Sequence, residues 1–508
     1  MPDTTPHRAH IAPAPNGAGV FFRMFPSIVL PMFIAVMDQT IVATALPAIA
    51  VALDDVERIA WVVVAYLVAT TIAAPVYGRL GDVYGRRRMM FVALSVMILG
   101  STACALSLSL PALIGGRVLQ GLGGGGLMTL SQALISESVP PRDRARYQGY
   151  LATVVVFSNA FGPVAGGWLT SGLGWRSIFW INLPMGVLAA LLALRLPARA
   201  PRPDADWRFD TPGLLWFVLF VAPALVAMEQ VRRLRLADAP SIAALVAVAL
   251  VALALLVRRE LKIPQPLFPF ALLREKTIWR SNAMAACHGA ALVSLIAYLP
   301  IYLRTARGLS PAETGYLLLP IAFGIGVGSL ATGKLVAQTG RTAIFPSLAL
   351  IPVVAIFLYV ALAHQTLDLA WFGLVIGALT FFMGSVMGVV QVIVQNAAGH
   401  GMLGAAAGSV QFSRAIGASF GTALVGAVLF AVFKARAGEI AGVFADLVER
   451  GPAALTQTGA GGARDGGGRA RRGVSGRLSR HGRLRRAGAG LRVDDPVAKT
   501  LMRLSLHV

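Results

Sequence analysis

From about residue 24 to residue 433 the chain alternates long apolar runs with short polar connectors rich in glycine and arginine. Thirteen of these runs approach the roughly 20 residues that a helix needs to cross a bilayer. They lie at about 24–47, 59–77, 89–108, 113–134, 149–171, 176–194, 212–229, 240–257, 281–303, 314–332, 343–362, 370–394 and 405–433. The pattern predicts an all-α membrane protein with thirteen spans. The first run exceeds a signal-peptide core and no clear small-residue cleavage site follows it, so it is expected to stay in the mature chain.

One connector is echoed. Gly78, Arg79, Leu80, Gly85 and Arg86 are matched by Gly333, Lys334, Leu335, Gly340 and Arg341, 255 residues later. Chance similarity in a glycine-rich chain is the alternative, weakened because both copies fall in a short loop between two spans. Related halves with a binding site between them are the mark of secondary transporters. With six helices per half, the chain divides into an N-terminal tail (1–23), a first bundle (24–195), connectors carrying an inserted helix pair (196–276), a second bundle with five spans (277–433) and a tail (434–508). The inserted pair is 212–229 and 240–257. Polar, proline-rich stretches flank it, with Pro264, Pro266 and Pro269 interrupting the second.

Composition agrees: 56% of residues are hydrophobic, 13% are charged, and mean hydropathy is +0.70. A soluble chain averages about 25% charged. The net charge of +22 does not mark a nucleic-acid partner, because of where it sits. About 19 Lys/Arg, among them Arg79, Arg86, Arg142, Arg144, Arg195 and Arg341, fall in loops after even-numbered spans. About six fall in the opposite loops. That asymmetry places the N-terminus in the cytoplasm; Arg232, Arg233 and Arg235 are a local exception. Cys104 and Cys287 both fall inside spans, as buried small apolar side chains, so no disulfide framework or metal cluster is expected.

The tail departs from the rest. Residues 459–508 hold 12 Lys/Arg against three acids and no spanning run, and they would lie on the outer face. Their composition reads as a disordered basic tail. A sharper account is a shifted reading frame: residues 476–501, written in GC-rich codons and read one base later, give an alanine-rich apolar segment with a basic end. On that account a fourteenth span is lost, and residues from about 460 are not native to the fold and form low-order coil.

Candidate chemistry sits inside the spans. Asp38 is the lone charge in 25–48, and a carboxylate near the bilayer midplane costs roughly 2.5–3.5 kcal/mol on insertion scales. Low dielectric disfavours the charged form of a carboxyl group, so such a residue can load and release protons. An acid at this depth could instead contact a cationic substrate or pair structurally with a buried arginine. Arg117 lies near the outer end of the fourth span, within reach of that depth, and Arg414 is a third intramembrane charge. In the 78–88 loop, Gly78 and Gly85 permit close helix approach, while Asp82 can pair with Arg86 or Arg87 or face a helix N-terminus. Such contacts suit a gate; anchoring by positive charge alone is the plainer reading. Gly162, Pro163, Gly166 and Gly167 permit close packing and a kink. Glu229 reads as interfacial and His288 as a packing residue. The GLGGGG run at 121–126 lies within a span and lacks a following Lys-Ser/Thr, so it does not bind nucleotide. With no soluble domain for ATP hydrolysis, an ion gradient must supply the energy.

These residues resemble the major facilitator superfamily, in particular its fourteen-helix drug:proton antiporters. Asp38, Gln39 and Thr40 with Ala45, Leu46 and Pro47 look like that branch's first-helix motif, and Trp61, Tyr66 and Leu67 like its second. The 78–88 loop looks like the superfamily's loop signature. Arg117, Gln120 and Gly121 resemble its intramembrane arginine motif, and Gly162 to Gly167 its antiporter motif. Trp175, Arg176, Phe179, Ile181, Asn182, Pro184 and Gly186 resemble the start of its sixth helix. Six motifs in order make the resemblance specific. It implies a proton-driven exporter of amphipathic small molecules in the inner membrane, working by alternating access. Proton coupling and translocation would fall to Asp38, Arg117 and Arg414. The partners implied are substrate, protons and lipid, with a periplasmic adaptor and an outer-membrane channel as optional additions; no catalytic residue, cofactor, metal or nucleic acid is expected. The rival readings are export of an endogenous metabolite or siderophore, a non-transporting receptor or scaffold, and an inactive product lacking its last helix.

Overall fold

The computed structural model describes residues 17–55, 58–197, 209–233, 239–263, 270–309 and 311–437. The basic tail, its shifted frame and the missing fourteenth helix lie outside the described residues. Within them every regular element is helical: α1 (Gly17–Ala52), α2 (Trp61–Tyr84), α3 (Arg86–Ala105), α4 (Leu110–Ser138), α5 (Arg144–Leu173), the short α6 (Ser177–Trp180) and α7 (Asn182–Ala193), α8 (Thr211–Arg233), α9 (Ala239–Glu260), α10 (Lys276–Thr305), α11 (Pro311–Thr339), α12 (Ile344–Ala363), α13 (Leu369–Ala398) and α14 (Leu403–Ala437), with two short 3-10 turns.

Eleven of these helices are long and apolar enough to cross a membrane, short of the thirteen expected. The apolar run at 113–134 lies in α4, which carries Arg117, Gln120 and Gln132 inward and is too polar to qualify. That at 176–194 is broken at Ile181, and its apolar helix spans only Ser177–Ala193. Cys287 differs as well: it is exposed on α10, whereas Cys104 is buried.

The described chain forms two compact units. The smaller contains Tyr298–Thr314 and residues from Phe430; in it the chain leaves α10 through a turn closed by Ala306 N–H donating to the Tyr302 carbonyl (2.9 Å), with Gly308 at φ +67°. The larger contains residues up to Ala297 and Gly315–Leu429 and holds everything that follows.

In the larger unit α4 is the axis, packed against α2, α3 and α1. Its glycine run exists for that contact. A Cβ on Gly121 or Gly125 would strike the Tyr66 or Thr70 carbonyl of α2, and one on Gly123 would stand 2.6 Å from the Met97 nitrogen of α3. The core beneath includes Met90, Leu94, Leu127, Leu130 and Ile135, and α1 lies along α5. In the second half, Ile278 and Ala285 of α10, Val386 and Val390 of α13, and Ala406 and Val410 of α14 share a core. The inserted pair α8–α9 is stapled by Asp210, which pairs with Arg259 (2.7 Å) and accepts from Gly213 N–H (3.1 Å). It rests on α2 and α14 through Ile72, Phe217 and Phe412, the two rings 5.3 Å apart.

The echoed loops fold alike. Gly85 ends α2 at φ +92° and Gly340 follows α11 at φ +72°, conformations that favour glycine. Gly78 of α2 abuts Gly404 of α14, and Gly333 of α11 abuts the Ala145 carbonyl of α5. The helix that precedes each echoed loop thus packs closely on a distant one, α2 on α14 and α11 on α5.

Gly125→Leu is expected to lower stability by about 1–3 kcal/mol through overpacking against α2. Gly115→Leu on the same helix, where nothing lies within 4 Å of an added Cβ, should be close to neutral. Thermal unfolding of the purified variants compares them, and equal melting would refute the assigned contact.

Candidate translocation site

Asp38 lies in α1 with no solvent exposure, and its carboxylate accepts three hydrogen bonds from two other helices. Arg117 Nη1 of α4 donates at 2.6 Å to Oδ2. Gln120 Nε2, one turn along α4, and Asn182 Nδ2 at the start of α7 donate to Oδ1 at 3.1 and 2.6 Å. Ser101 of α3 accepts from both amides, at 2.8 Å from Gln120 and 3.2 Å from Asn182. Arg117, equally buried, also donates to Gln120 Oε1 (2.9 Å) and the Val62 carbonyl (3.2 Å), and its guanidinium lies 4.2 Å from the Tyr66 ring centroid. Tyr66 in turn donates to the Ala35 carbonyl of α1 at 2.7 Å. Two atoms of the cluster, Arg117 Nη2 and Asn182 Oδ1, are buried without a partner. Among the intramembrane charges, Asp38 and Arg117 are joined; Arg414 is not part of their network.

The α5 glycines bear on this cluster from α1. A Cβ on Gly162 would strike Thr40 Oγ1, and one on Gly166 would strike the Ile41 carbonyl and Thr44 Oγ1, within two turns of Asp38. Pro163 lies between them inside the helix. Gly167 differs from the sequence expectation of close packing: it is exposed, with nothing within 4 Å of an added Cβ.

A second constellation joins the two halves at the end of the fold where α2 meets α3. Asp82 accepts from the first-turn amides of α14, Gly404 N–H at 2.9 Å and Ala405 N–H at 2.9 Å, and from Arg86 Nη2 at 2.6 Å. Amides that open a helix have no partner inside it and favour an anion. Arg86 also pairs with Glu137 of α4. Across the other joint Arg142 donates to the Ala337 carbonyl (3.1 Å), Arg144 to Asn396 Oδ1 (2.6 Å), and Ser136 to Gln395. Arg87 has no hydrogen-bond or ion-pair partner among the described residues.

The profile described as Major Facilitator Superfamily matches residues 28–422. The chain belongs to that superfamily. An uncharacterized MFS-type transporter of Mycobacterium tuberculosis, present in strains CDC 1551 and H37Rv, is 33% identical over 418 residues, which are 82% of this chain and 60% of that protein. The chain therefore spans three fifths of that relative's length. Multidrug transporter protein MdtP of Bacillus subtilis is 28% identical over 419 residues, 82% of this chain and 76% of that protein. Among solved structures, the major facilitator proton:xylose symporter XylE superposes with TM-score 0.56 at 15% identity, covering 83% of this chain and 96% of that one. That likeness shows the fold alone.

In this major facilitator chain the sequence motifs had already included Gln120 and Asn182, but only as pattern. Their role as donors to the Asp38 carboxylate, and that of Ser101 as acceptor from both amides, needed the fold. The one signal available was polar side chains within apolar runs. Glu229 lies in the last turns of α8, and His288 is buried with Nε2 3.0 Å from the Met383 carbonyl. Among the described residues no group of three His, Cys, Asp or Glu side chains could hold a metal.

Removing one partner of a buried ion pair leaves an uncompensated charge and costs about 3–5 kcal/mol. Asp38→Leu and Arg117→Met are each expected to destabilise on that scale, and the double variant by clearly less than their sum. A double-mutant cycle on thermal unfolding measures this; additive losses would show that the pair does not act as a unit.

Proposed function

We propose that this major facilitator chain is a secondary active exporter of amphipathic small molecules, driven by proton antiport. It would lie in the inner membrane with its N-terminus in the cytoplasm, as the loop charges favour. The observation that carries the reading is the Asp38 cluster: a fully desolvated carboxylate held by three donors from α4 and α7, with two polar atoms left unsatisfied beside it. Protonating Asp38 removes the charge that holds Arg117, Gln120 and Asn182 together, and those groups then change partners. A carboxyl that binds several helices in one protonation state and releases them in the other couples a proton to a movement of the bundle.

The joints between halves supply what must open and close. Asp82 on the α14 N-terminus and the Gly78–Gly404 contact hold α2 to α14; Arg142 and the Gly333–Ala145 contact hold α11 to α5. The first bundle (24–195) and the second (277–433) would rock about a site between them, with the proton taken up from outside as substrate leaves and released inside as new substrate enters. The names of relatives such as the multidrug transporter support an exporter of foreign compounds.

Asp38→Asn should abolish uncoupler-sensitive efflux of a dye panel from expressing cells while the protein still reaches the membrane. Asp38→Glu should keep part of it. Wild-type efflux by Asp38→Asn at equal expression removes Asp38 from the mechanism.

Gly78→Leu forces α2 away from α14, so transport should stall while dye binding to the purified protein changes less than threefold, about 0.7 kcal/mol. Parallel loss of binding and transport would show that the contact belongs to the fold and not to the cycle.

A further inference from the structure

The two intramembrane arginines have opposite fates. Arg117 has Asp38 at 2.6 Å. Arg414 of α14 has only neutral acceptors, Gln411 Oε1 at 2.9 Å and the Met387 carbonyl of α13 at 3.0 Å, and its Nε is buried without a partner. Among the described residues no carboxylate lies within ion-pair distance of it. A guanidinium held inside a span without a counter-charge is costly and persists where a function compensates.

Its surroundings say what that function is. The stem of Arg414 is fixed against α10, where a Cβ on Gly289 would stand 3.1 Å from its Cγ, so the head is directed toward α13. The two groups that hold the head also touch the first half: Gln411 Nε2 reaches Met128 Sδ of α4 at 4.0 Å, and Met387 packs against the core of the first bundle. Two helical turns along from Met128, α4 touches α13, where Ser136 bonds to Gln395. Gln132 lies one turn from both Met128 and Ser136 on α4, and Gln391 one turn from both Met387 and Gln395 on α13. Gln391 is 2% exposed, and neither its Nε2 nor its Oε1 has a partner; Gln132 Oε1 lacks one as well. Buried amides are ordinarily satisfied. An uncompensated cation and two unsatisfied amides therefore share one strip between α4, α13 and α14, flanked by the adaptable apolar side chains of Met128 and Met387.

We propose that this strip binds the anionic group of an amphipathic molecule, with Arg414 meeting the charge and Gln391 and Gln132 its polar neighbours. The inference rests on the exporter reading and adds the sign of the substrate. Asp38 is already paired with Arg117, and no carboxylate of the described residues pairs with Arg414, so a cationic group would face Arg414 unscreened. The anion can arrive on a solute carrying a carboxylate or on a lipid headgroup; the recognition chemistry is the same.

The test uses the full chain in phosphatidylcholine discs and two probes with one pyrenyl-alkyl body, ending in carboxylate or trimethylammonium. Binding is read by fluorescence after subtraction of empty discs. The wild type should bind the carboxylate about tenfold more tightly than the ammonium, the size of one charge-assisted contact. Arg414→Lys should keep that preference and Arg414→Gln should lose it. If added phosphatidylglycerol displaces the carboxylate probe from the wild type, the anion is a lipid headgroup; if it does not, the anion is a solute. Equal binding of both probes by the wild type, or an unchanged preference in monodisperse Arg414→Gln, overturns the proposal without needing the variant to transport. Uncoupler-sensitive efflux of the same probes is scored separately. No efflux of either defeats the exporter reading, whereas efflux without charge preference defeats only this one.

Discussion

The ion pair between Asp38 and Arg117 sets the terms for the first half of the molecule. Both side chains are out of contact with solvent, and desolvating two charges costs several kcal/mol per ion unless geometry and further hydrogen bonds offset it. The offset is visible in the donors gathered around the carboxylate and in the Tyr66 ring beneath the guanidinium. It dictates backbone packing too. Gly100 of α3 lacks a side chain where the Gln120 backbone of α4 passes, and that approach lets Ser101 reach the Gln120 amide. The glycines of α4 and the polar network are one design, since the polar groups meet only because the helices touch.

The joints between the halves are related by the internal repeat and yet differ in chemistry. On one side Asp82 places a carboxylate on the first-turn amides of α14, supported by Arg86. On the other, the position equivalent to Asp82 is Ala337, which offers only its carbonyl to Arg142. One joint is thus held by a charge on a helix terminus, the other by neutral acceptors, which take Arg142, the buried Arg144 and Ser136.

Charge is sparse inside the described helices and unevenly paired. In the first half Asp38 is paired with Arg117. The second half keeps an arginine without a carboxylate beside unsatisfied amides on α4 and α13.

Much of this was legible in the chain. The apolar runs foretold helices, because a span must satisfy its own backbone groups; the isolated Asp38, Arg117 and Arg414 stood out because charge inside such runs is expensive; and the echo of Gly78–Arg86 at Gly333–Arg341 disclosed the repeat. Eleven described helices are long and apolar enough to span, against thirteen runs, since α4 carries polar residues that it turns against α1, α2 and α3 and α6–α7 is broken at Ile181. What no linear pattern could decide was who meets whom. Asp38 and Arg117 are 79 residues apart, Asp82 and Gly404 322, and only folding shows that the first pair neutralises itself while Arg414 goes without an acid. Gly166 and Gly167 are neighbours of one type, yet a Cβ on the first would strike Ile41 and one on the second would meet nothing within 4 Å. The sequence determines which side chains are costly to bury; the tertiary structure decides which find partners, because pairing depends on the faces that helices present and the distances at which they pack.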